Sequence, residues 1–151
     1  MKRTMTIRNL ISYFVLGCAL AACSGIPPKT VINHIQVLAD IDANQNSATA
    51  LDIVFVYDSN ALGLLPKTGP EWFNHKSILI NTLATSMDLV SIEIPPGTTV
   101  ALALPKNYEK AIAVYSFANY VGSAGQPMGN LTPFKNMTIH LTSDTIQYLG
   151  N

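Results

Sequence analysis

Short apolar stretches separated by turn-forming residues recur along the chain, and they constrain its fold more than any other feature. The clearest stretch is residues 51–57, in which the odd-numbered positions would share one face of a strand and Val54 and Val56 the other. Both faces are partly apolar, which is typical of a strand in the middle of a sheet. Six further stretches lie at 31–41, 89–94, 100–104, 111–117, 137–141 and 145–149. The pattern predicts a mainly β fold, a two-sheet sandwich of about seven strands.

Turn residues and one helical pattern predict how these strands are connected and covered. Pro95-Pro96-Gly97 is a strong turn signal, after which residues 100–104 would return as the partner strand of 89–94. Ser143-Asp144 would close a hairpin between the last two strands. A helix is predicted to begin at Pro70, because proline suits a first helical turn. The apolar residues after it recur at near-helical spacing, with core packing expected for Trp72, Phe73, Leu79, Ile80 and Leu83.

The N-terminus has the three zones of a secretory signal. Basic residues, Lys2, Arg3 and Arg8, precede an apolar run over residues 10–20. This run is too short for a permanent transmembrane helix, which needs about 20 apolar residues. The tetrapeptide Leu20-Ala21-Ala22-Cys23 then resembles the lipobox of bacterial lipoproteins, in which the cysteine is acylated and becomes the first residue of the mature chain.

Cleavage before Cys23 would divide the chain into a signal peptide (1–22), a lipidated tether (23–29) and a β-sandwich domain (30–151). Several acyl chains, palmitate among them, would hold Cys23 firmly in a bilayer. By resemblance to the sorting pattern of such lipoproteins, Ser24 favours the periplasmic face of the outer membrane. Two alternatives remain open: a secreted protein with a chance cysteine, and lipidation at Cys18, where Leu16 is bulky in place of a small residue.

The charge and cysteine content of the mature part exclude several classes of protein. Beyond residue 22 the chain has six lysines and no arginine against nine acidic residues, a net charge of −3. Such a domain is a poor candidate for binding nucleic acid or anionic lipid surfaces. Cys23 has no second cysteine to pair with, so no internal disulfide is expected.

No motif in the sequence carries catalytic or metal-binding chemistry. The residues Asp40, Asp42 and Asn44 match the start of an EF-hand loop, but Gln45 and Leu51 stand where its glycine and bidentate glutamate belong. The histidines His34, His75 and His140 are solitary, and no nucleophile or phosphate-loop motif is present. We therefore expect neither an enzyme nor a cofactor, a metal or a small-molecule substrate.

Several motifs along the mature chain resemble one family of lipoproteins. An Asn-rich turn over residues 42–47 precedes the alternating strand 50–57. Three further motifs follow in order: Glu71-Trp72-Phe73, residues 91–97 and residues 111–117. Together with the lipobox, these resemble the TssJ/SciN/VasD family, outer-membrane lipoproteins of type VI secretion.

The resemblance implies a transthyretin-like β-sandwich that docks the periplasmic end of an IcmF-like (TssM) inner-membrane protein and anchors the complex to the outer membrane through its acyl chains. The candidate partner-binding surface is an exposed loop between the first two strands: Asp42, Ala43, Asn44, Gln45, Asn46 and Ser47. A plain hairpin turn without a partner is the alternative. A second candidate loop contains Leu62, Leu64 and Leu65, which are unusually apolar for solvated residues.

Two other functions remain open at this point. The same lipid-anchored sandwich would suit a periplasm-facing binding module for a small ligand or a carbohydrate. A hydrolase is the third hypothesis, and the absence of its motifs argues against it.

Overall fold

The computed structural model describes residues 29–122 and 125–151. Within these ranges eight strands form two four-stranded sheets, which confirms the predicted sandwich and adds one strand to the predicted seven. The predicted signal peptide, Cys23 and all of the tether except Lys29 lie outside the described residues. In the described part of the chain, no helix combines the length and the apolar character needed to cross a bilayer.

Sheet 1 contains strands in the order β4-β1-β7-β8. At its centre, β1 (His34–Ala39) runs parallel to β7 (Asn136–Leu141). The flanking strands β4 (Thr99–Ala101) and β8 (Ile146–Gly150) pair antiparallel with β1 and β7 respectively. The pairing of β7 with β8 confirms the predicted closing hairpin.

Sheet 2 is antiparallel throughout, in the order β3-β2-β5-β6. Its strands are β2 (Thr49–Val56), β3 (Met87–Ile94), β5 (Ala113–Asn119) and the short β6 (Gly129–Asn130). β2 lies between two neighbours, as its pair of apolar faces predicts, and residues 51–56 are all buried. β6 lies outside the seven stretches that the sequence predicts as strands.

The turn after β3 does not produce the predicted hairpin. β4 pairs with β1 in sheet 1, where Val100 lies opposite Val37, and not with β3 in sheet 2. The backbone N–H of Gly97 donates to the carbonyl oxygen of Asp40 at 2.9 Å, which carries the chain across to sheet 1. A turn signal specifies a change of direction, whereas the choice of pairing strand depends on residues far away in sequence.

Apolar side chains form two layers, one on each side of sheet 2. The layer between the sheets includes Ile35, Val37, Leu51, Ile53, Phe55, Met137, Ile139 and Leu141. The outer layer is covered by a short helix, α1 (Ser59–Leu62), and by the predicted helix, α2 (Gly69–Thr82), which has Pro70 in its first turn. Trp72 of α2 is fully buried and stacks on Phe117 with a distance of 4.6 Å between ring centroids. Trp72 therefore serves the core, as predicted.

The strands run between two opposite ends of the sandwich. At the first, the tether end, the described chain begins: the N–H of Thr30 donates to Ala111 O at 2.7 Å and that of Asn33 to Lys135 O at 2.9 Å. The second, the distal end, is where β1 ends, and it carries the segments 40–48, 95–98, 119–122 and 142–145. A six-residue strand such as β1 separates these ends by about 20 Å.

Candidate partner-binding surface

The candidate loop at residues 42–47 lies at the distal end and has an unusual backbone. Ala43–Asn46 forms a single turn in which Asn44 (φ 50°), Gln45 (φ 54°) and Asn46 (φ 61°) are left-handed. We call this segment the left-handed turn. The left-handed conformation costs an L-residue about 1–2 kcal/mol, and among non-glycine residues asparagine is one of those that tolerate it best. Three such residues in succession persist only where the surroundings hold them in place.

The loop between β7 and β8 supplies part of that support. The N–H of Asn44 donates to Thr142 O at 3.0 Å, and the N–H of Gln45 donates to Ser143 O at 3.1 Å. The Gln45 side-chain amide also donates to the Asp144 carboxylate at 3.2 Å. Residues about a hundred positions apart in the chain therefore form one structural unit at the distal end.

The side chain of Asn44 anchors the left-handed turn to sheet 2. It is 1% exposed, accepts a hydrogen bond from the N–H of Val121 at 2.7 Å, and donates to Ala48 O and Asn119 O at 3.2 and 3.4 Å. Ala43 is buried as well. Contrary to the expectation of an exposed loop, these two residues serve the fold and are inaccessible to a partner.

The accessible part of this region is a different set of residues. Asp42, Gln45 and Asn46 are exposed, and Ser47 is half-buried. Ile41 is 85% exposed, although the alternation of β1 places it on the apolar face. The strand ends at Ala39, and the two aspartates that flank Ile41 were the only sequence signal against its burial.

Two exposed residues from other segments lie beside Ile41, Asp42, Gln45 and Asn46. We call the combined set the distal surface. Val121 is 59% exposed and follows β5, and Asp144 is exposed in the β7–β8 loop. Sequence reasoning missed Val121 and Asp144 because only the tertiary fold brings their segments to the left-handed turn. The distal surface contains Ile41, Asp42, Gln45, Asn46, Val121 and Asp144. Exposed apolar side chains among acidic and amide groups suit recognition of another protein.

The second candidate loop is mainly structural. Leu65 is buried, and Leu62 packs half-buried against the outer layer. Leu64 is 57% exposed. Packing against the outer layer therefore explains why two of these three positions are leucine.

Within the described ranges, histidines and acids do not assemble into a metal site. His140 lies 2.8 Å from the Asp40 carboxylate, which is thereby engaged within sheet 1. Throughout the two described ranges, no group of three or more His, Cys, Asp or Glu side chains is placed to hold a metal ion.

One surface depression, of about 410 Å³, lies at the tether end and is open to solvent. It is lined by residues that include Tyr57, Asp88 and Lys110. The Tyr57 hydroxyl donates to Asp88 at 2.7 Å. Burial, and then the hydrogen bond and charge of Asp88, raise the pKa of Tyr57 well above its ordinary value, so its phenol stays neutral. A neutral phenol bound to a carboxylate offers no activated base or nucleophile.

Two four-stranded sheets, a helix on one outer face and an exposed loop surface at one end define a small β-sandwich of the kind that presents loops to a partner. Among solved structures, this is the fold of the type VI secretion lipoproteins called TssJ. No protein-family model matches the sequence, and no curated protein matches it significantly.

Three solved structures illustrate the likeness. The TssJ1 lipoprotein of Pseudomonas aeruginosa is 15% identical with a TM-score of 0.61, and the match covers 82% of this chain and 98% of that one. Serratia marcescens Lip, a membrane-bound component of the type VI secretion system, is 11% identical with a TM-score of 0.54, covering 83% and 99%. A chain in the structure of the TssM C-terminal domain (869–1107) from EAEC is 15% identical with a TM-score of 0.53, covering 77% and 98%. At these identities the comparison establishes a shared fold.

Proposed function

We propose that this protein is an outer-membrane lipoprotein subunit of the type VI secretion membrane complex. In this role Cys23 carries the acyl chains, and the sandwich docks the periplasmic end of an IcmF-like (TssM) inner-membrane protein. The observation that carries the proposal is a TssJ-like fold on a chain whose N-terminus resembles a lipobox. The expectation of a non-enzyme agrees with this likeness, because the TssJ1 and Lip structures, which share this fold, are secretion components.

The polarity of the sandwich supports this role. The lipidated segment would enter at the tether end, next to Thr30 and Ala111. The distal surface lies at the opposite end, about 20 Å away along β1. An anchor in the outer membrane therefore leaves the distal surface facing the periplasm, the direction from which an inner-membrane protein extends.

A separate observation supports a TssM-like protein as the partner. One of the structures with this fold includes the C-terminal domain of TssM. A TssM-like protein would meet the distal surface first, where Ile41 offers an apolar side chain among acidic and amide groups. Apolar surface rimmed by polar residues marks sites of protein contact, and truncating a residue that anchors an interface weakens binding by about 2 kcal/mol or more.

The test is binding to the purified periplasmic domain of the IcmF-like protein from the same organism. We expect Ile41→Asp to raise Kd at least tenfold, because about 1.4 kcal/mol corresponds to a factor of ten. Ile78 is 65% exposed on α2 and remote from the distal surface, so Ile78→Asp is a matched control that should leave Kd unchanged.

Two results would contradict the proposal. If the wild-type protein does not bind the IcmF-like domain, that protein is not its partner. An equal loss of affinity in both variants would show that the distal surface is not the docking site. Thermal unfolding of each variant separates a loss of contact from a loss of fold.

A further inference from the structure

The lysines of the domain are concentrated at the tether end. Four of the six mature lysines lie there and are exposed: Lys29, Lys106, Lys110 and Lys135. Hydrogen bonds close to Thr30 fix this placement, because Thr30 contacts Ala111, the neighbour of Lys110, and Asn33 contacts Lys135. Lys106 belongs to the turn that leads into Tyr108–Lys110. Among the described residues, the only lysine in an ion pair is Lys76, which lies on α2.

The acidic residues have the opposite distribution. Counting side chains alone, the tether end carries three of them, Asp58, Asp88 and Glu109, against its four lysines, a sum of +1. The remaining six acids stand against two lysines, a charge of −4. The negative net charge of the mature domain therefore conceals an electrostatic polarity along the strands, with the tether end as its positive end.

An apolar depression lies beside these lysines. It has a volume of about 350 Å³ and is lined by Lys29, Val31, Asn130, Thr132 and Pro133. Val31 is 57% exposed. Lysine side chains place their methylenes along apolar surface while their ammonium groups reach polar partners. Basic residues around an apolar patch suit contact with the headgroup region of a membrane.

The length of the preceding chain keeps this end close to a bilayer. Lys29 follows the candidate lipid anchor Cys23 by six positions, with only residues 24–28 between them. Fully extended, they reach roughly 20 Å. If Cys23 is acylated, the tether end cannot move farther from the membrane surface than this, and it is the part of the sandwich nearest to the lipid phosphates.

We propose that the tether end rests directly on a phospholipid surface, where Lys29, Lys106, Lys110 and Lys135 contact the headgroup phosphates. The inference depends on the lipid anchor of the proposed function. It revises the expectation from net charge that the domain would avoid anionic lipid, because attraction to a surface depends on the charges that face it and not on the total. The contact would orient the sandwich with the distal surface pointing away from the membrane.

The test uses the acylated protein in vesicles of phosphatidylethanolamine and phosphatidylglycerol. Acylated Cys23 leaves no free thiol in the mature chain, so Asn107→Cys can be labelled selectively at the tether end. Energy transfer from this label to labelled headgroups reports its distance from the bilayer. Exchanging Lys106, Lys110 and Lys135 for glutamine should raise that distance by on the order of 10 Å, within the reach of the tether. Salt at about 1 M, where the Debye length is about 3 Å, should have the same effect.

Two controls make the result specific. The same three positions changed to arginine keep their charge and should retain the short distance. Lys67→Gln removes a lysine outside the tether end and should leave the distance unchanged.

Flotation of the vesicles separates the two ways of failing. Protein that floats but shows equal distances in the glutamine and arginine variants would overturn the inference while the anchor stands, as expected if this end faces solvent or another protein. Protein that does not float at all would overturn the anchor and the inference together.

Discussion

The carboxylate of Asp52 accepts a hydrogen bond from the indole N–H of Trp72 at 2.6 Å, and this contact ties helix α2 to the middle of sheet 2. Asp52 is 1% exposed on the central strand β2. Its second partner is Lys76, whose ammonium group lies 2.8 Å from Oδ2 and also donates to Ser91 Oγ at 3.0 Å. A buried carboxylate is tolerated when it is both paired and hydrogen-bonded, and Asp52 meets both conditions.

Removing the indole donor should destabilise the fold. We expect Trp72→Phe to lower the free energy of unfolding by about 2 kcal/mol or more, because it deletes a hydrogen bond to a buried charge and leaves a void beside Phe117. Trp72 is the only tryptophan, so urea unfolding would be followed by far-UV circular dichroism. Ile78→Ala on the exposed side of α2 should change stability by less than about 0.5 kcal/mol. Equal stability of the two variants would contradict the structural role of this contact.

The left-handed turn should depend on Asn44 far more than on Asn46. Asn44→Ala removes the three hydrogen bonds of a buried side chain and places alanine at positive φ, so it should lower the free energy of unfolding by about 2–4 kcal/mol. Asn46→Ala also places alanine at positive φ, but the exposed side chain of Asn46 makes no hydrogen bond to the described residues, so the change should cost about 1–2 kcal/mol. Chemical denaturation of both variants measures the difference, which would vanish if the Asn44 side chain were not a structural anchor.

Two glycines on either side of the same loop should respond differently to alanine. A Cβ at Gly69 would overlap the carbonyl oxygen of Ala118, whereas a Cβ at Gly63 would meet no atom within 4 Å. We expect Gly69→Ala to destabilise by about 1–3 kcal/mol, the usual effect of overpacking. Gly63→Ala should be neutral or slightly stabilising, because Gly63 has right-handed helical dihedral angles. Thermal unfolding distinguishes them, and similar transition temperatures would refute the close approach of α2 to β5.

Stability should decline in alkaline solution through buried tyrosines. Burial, helped by the nearby Tyr148 and Asp40, raises the pKa of Tyr120 well above its ordinary value. In the unfolded chain this phenol ionises near pH 10, while in the native protein it stays protonated and donates to the carbonyl oxygens of Thr142 and Thr145. The native state therefore binds more protons above about pH 10, and the free energy of unfolding falls as pH rises.

The Tyr120→Phe variant tests this dependence. It should be less stable at neutral pH, by about 1 kcal/mol for the lost hydrogen bond. Its stability should then fall less steeply above about pH 10 than that of the wild type, because one titrating group is gone. Urea unfolding at a series of pH values measures both effects. Parallel curves for the two proteins would show that Tyr120 does not contribute to the alkaline decline.

Membrane attachment should depend on a single thiol. In the proposed function Cys23→Ala cannot be acylated, so the variant should move from the membrane fraction to the soluble periplasmic fraction. Intact-mass measurement of the wild type should show an acylated cysteine as the first residue. An unmodified N-terminus, or a variant that still sediments with membranes, would contradict the lipid anchor.

Much of the fold could be predicted because it follows from local patterns. The two apolar faces of residues 51–57 predict a central strand, and β2 is one. Pro70 and the apolar spacing after it predict α2, and Ser143-Asp144 predicts the β7–β8 hairpin. In each case the residues that specify the element are close together in sequence, so their periodicity or turn chemistry is sufficient.

The exposure of the candidate loop was predicted less well. Residues 42–47 were singled out, yet Asn44 is an anchor of the fold, and the most exposed apolar residue nearby is Ile41. Left-handed backbone at Asn44, Gln45 and Asn46 is held by contacts with the β7–β8 loop, which lies about a hundred residues farther along the chain. A local sequence pattern cannot indicate hydrogen bonds to residues so far away in the chain.

The sequence by itself determined that this chain is a mainly β domain with one covering helix, because alternating apolar residues line a single face in a strand and not in a helix. It also placed a lipobox-like cysteine ahead of that domain. Only the tertiary structure decided that β4 joins β1, that Asp52 meets Trp72 and Lys76, and that lysines gather at one end while the distal surface forms at the other. Those outcomes depend on contacts between residues distant in sequence, which form only when the two sheets pack together.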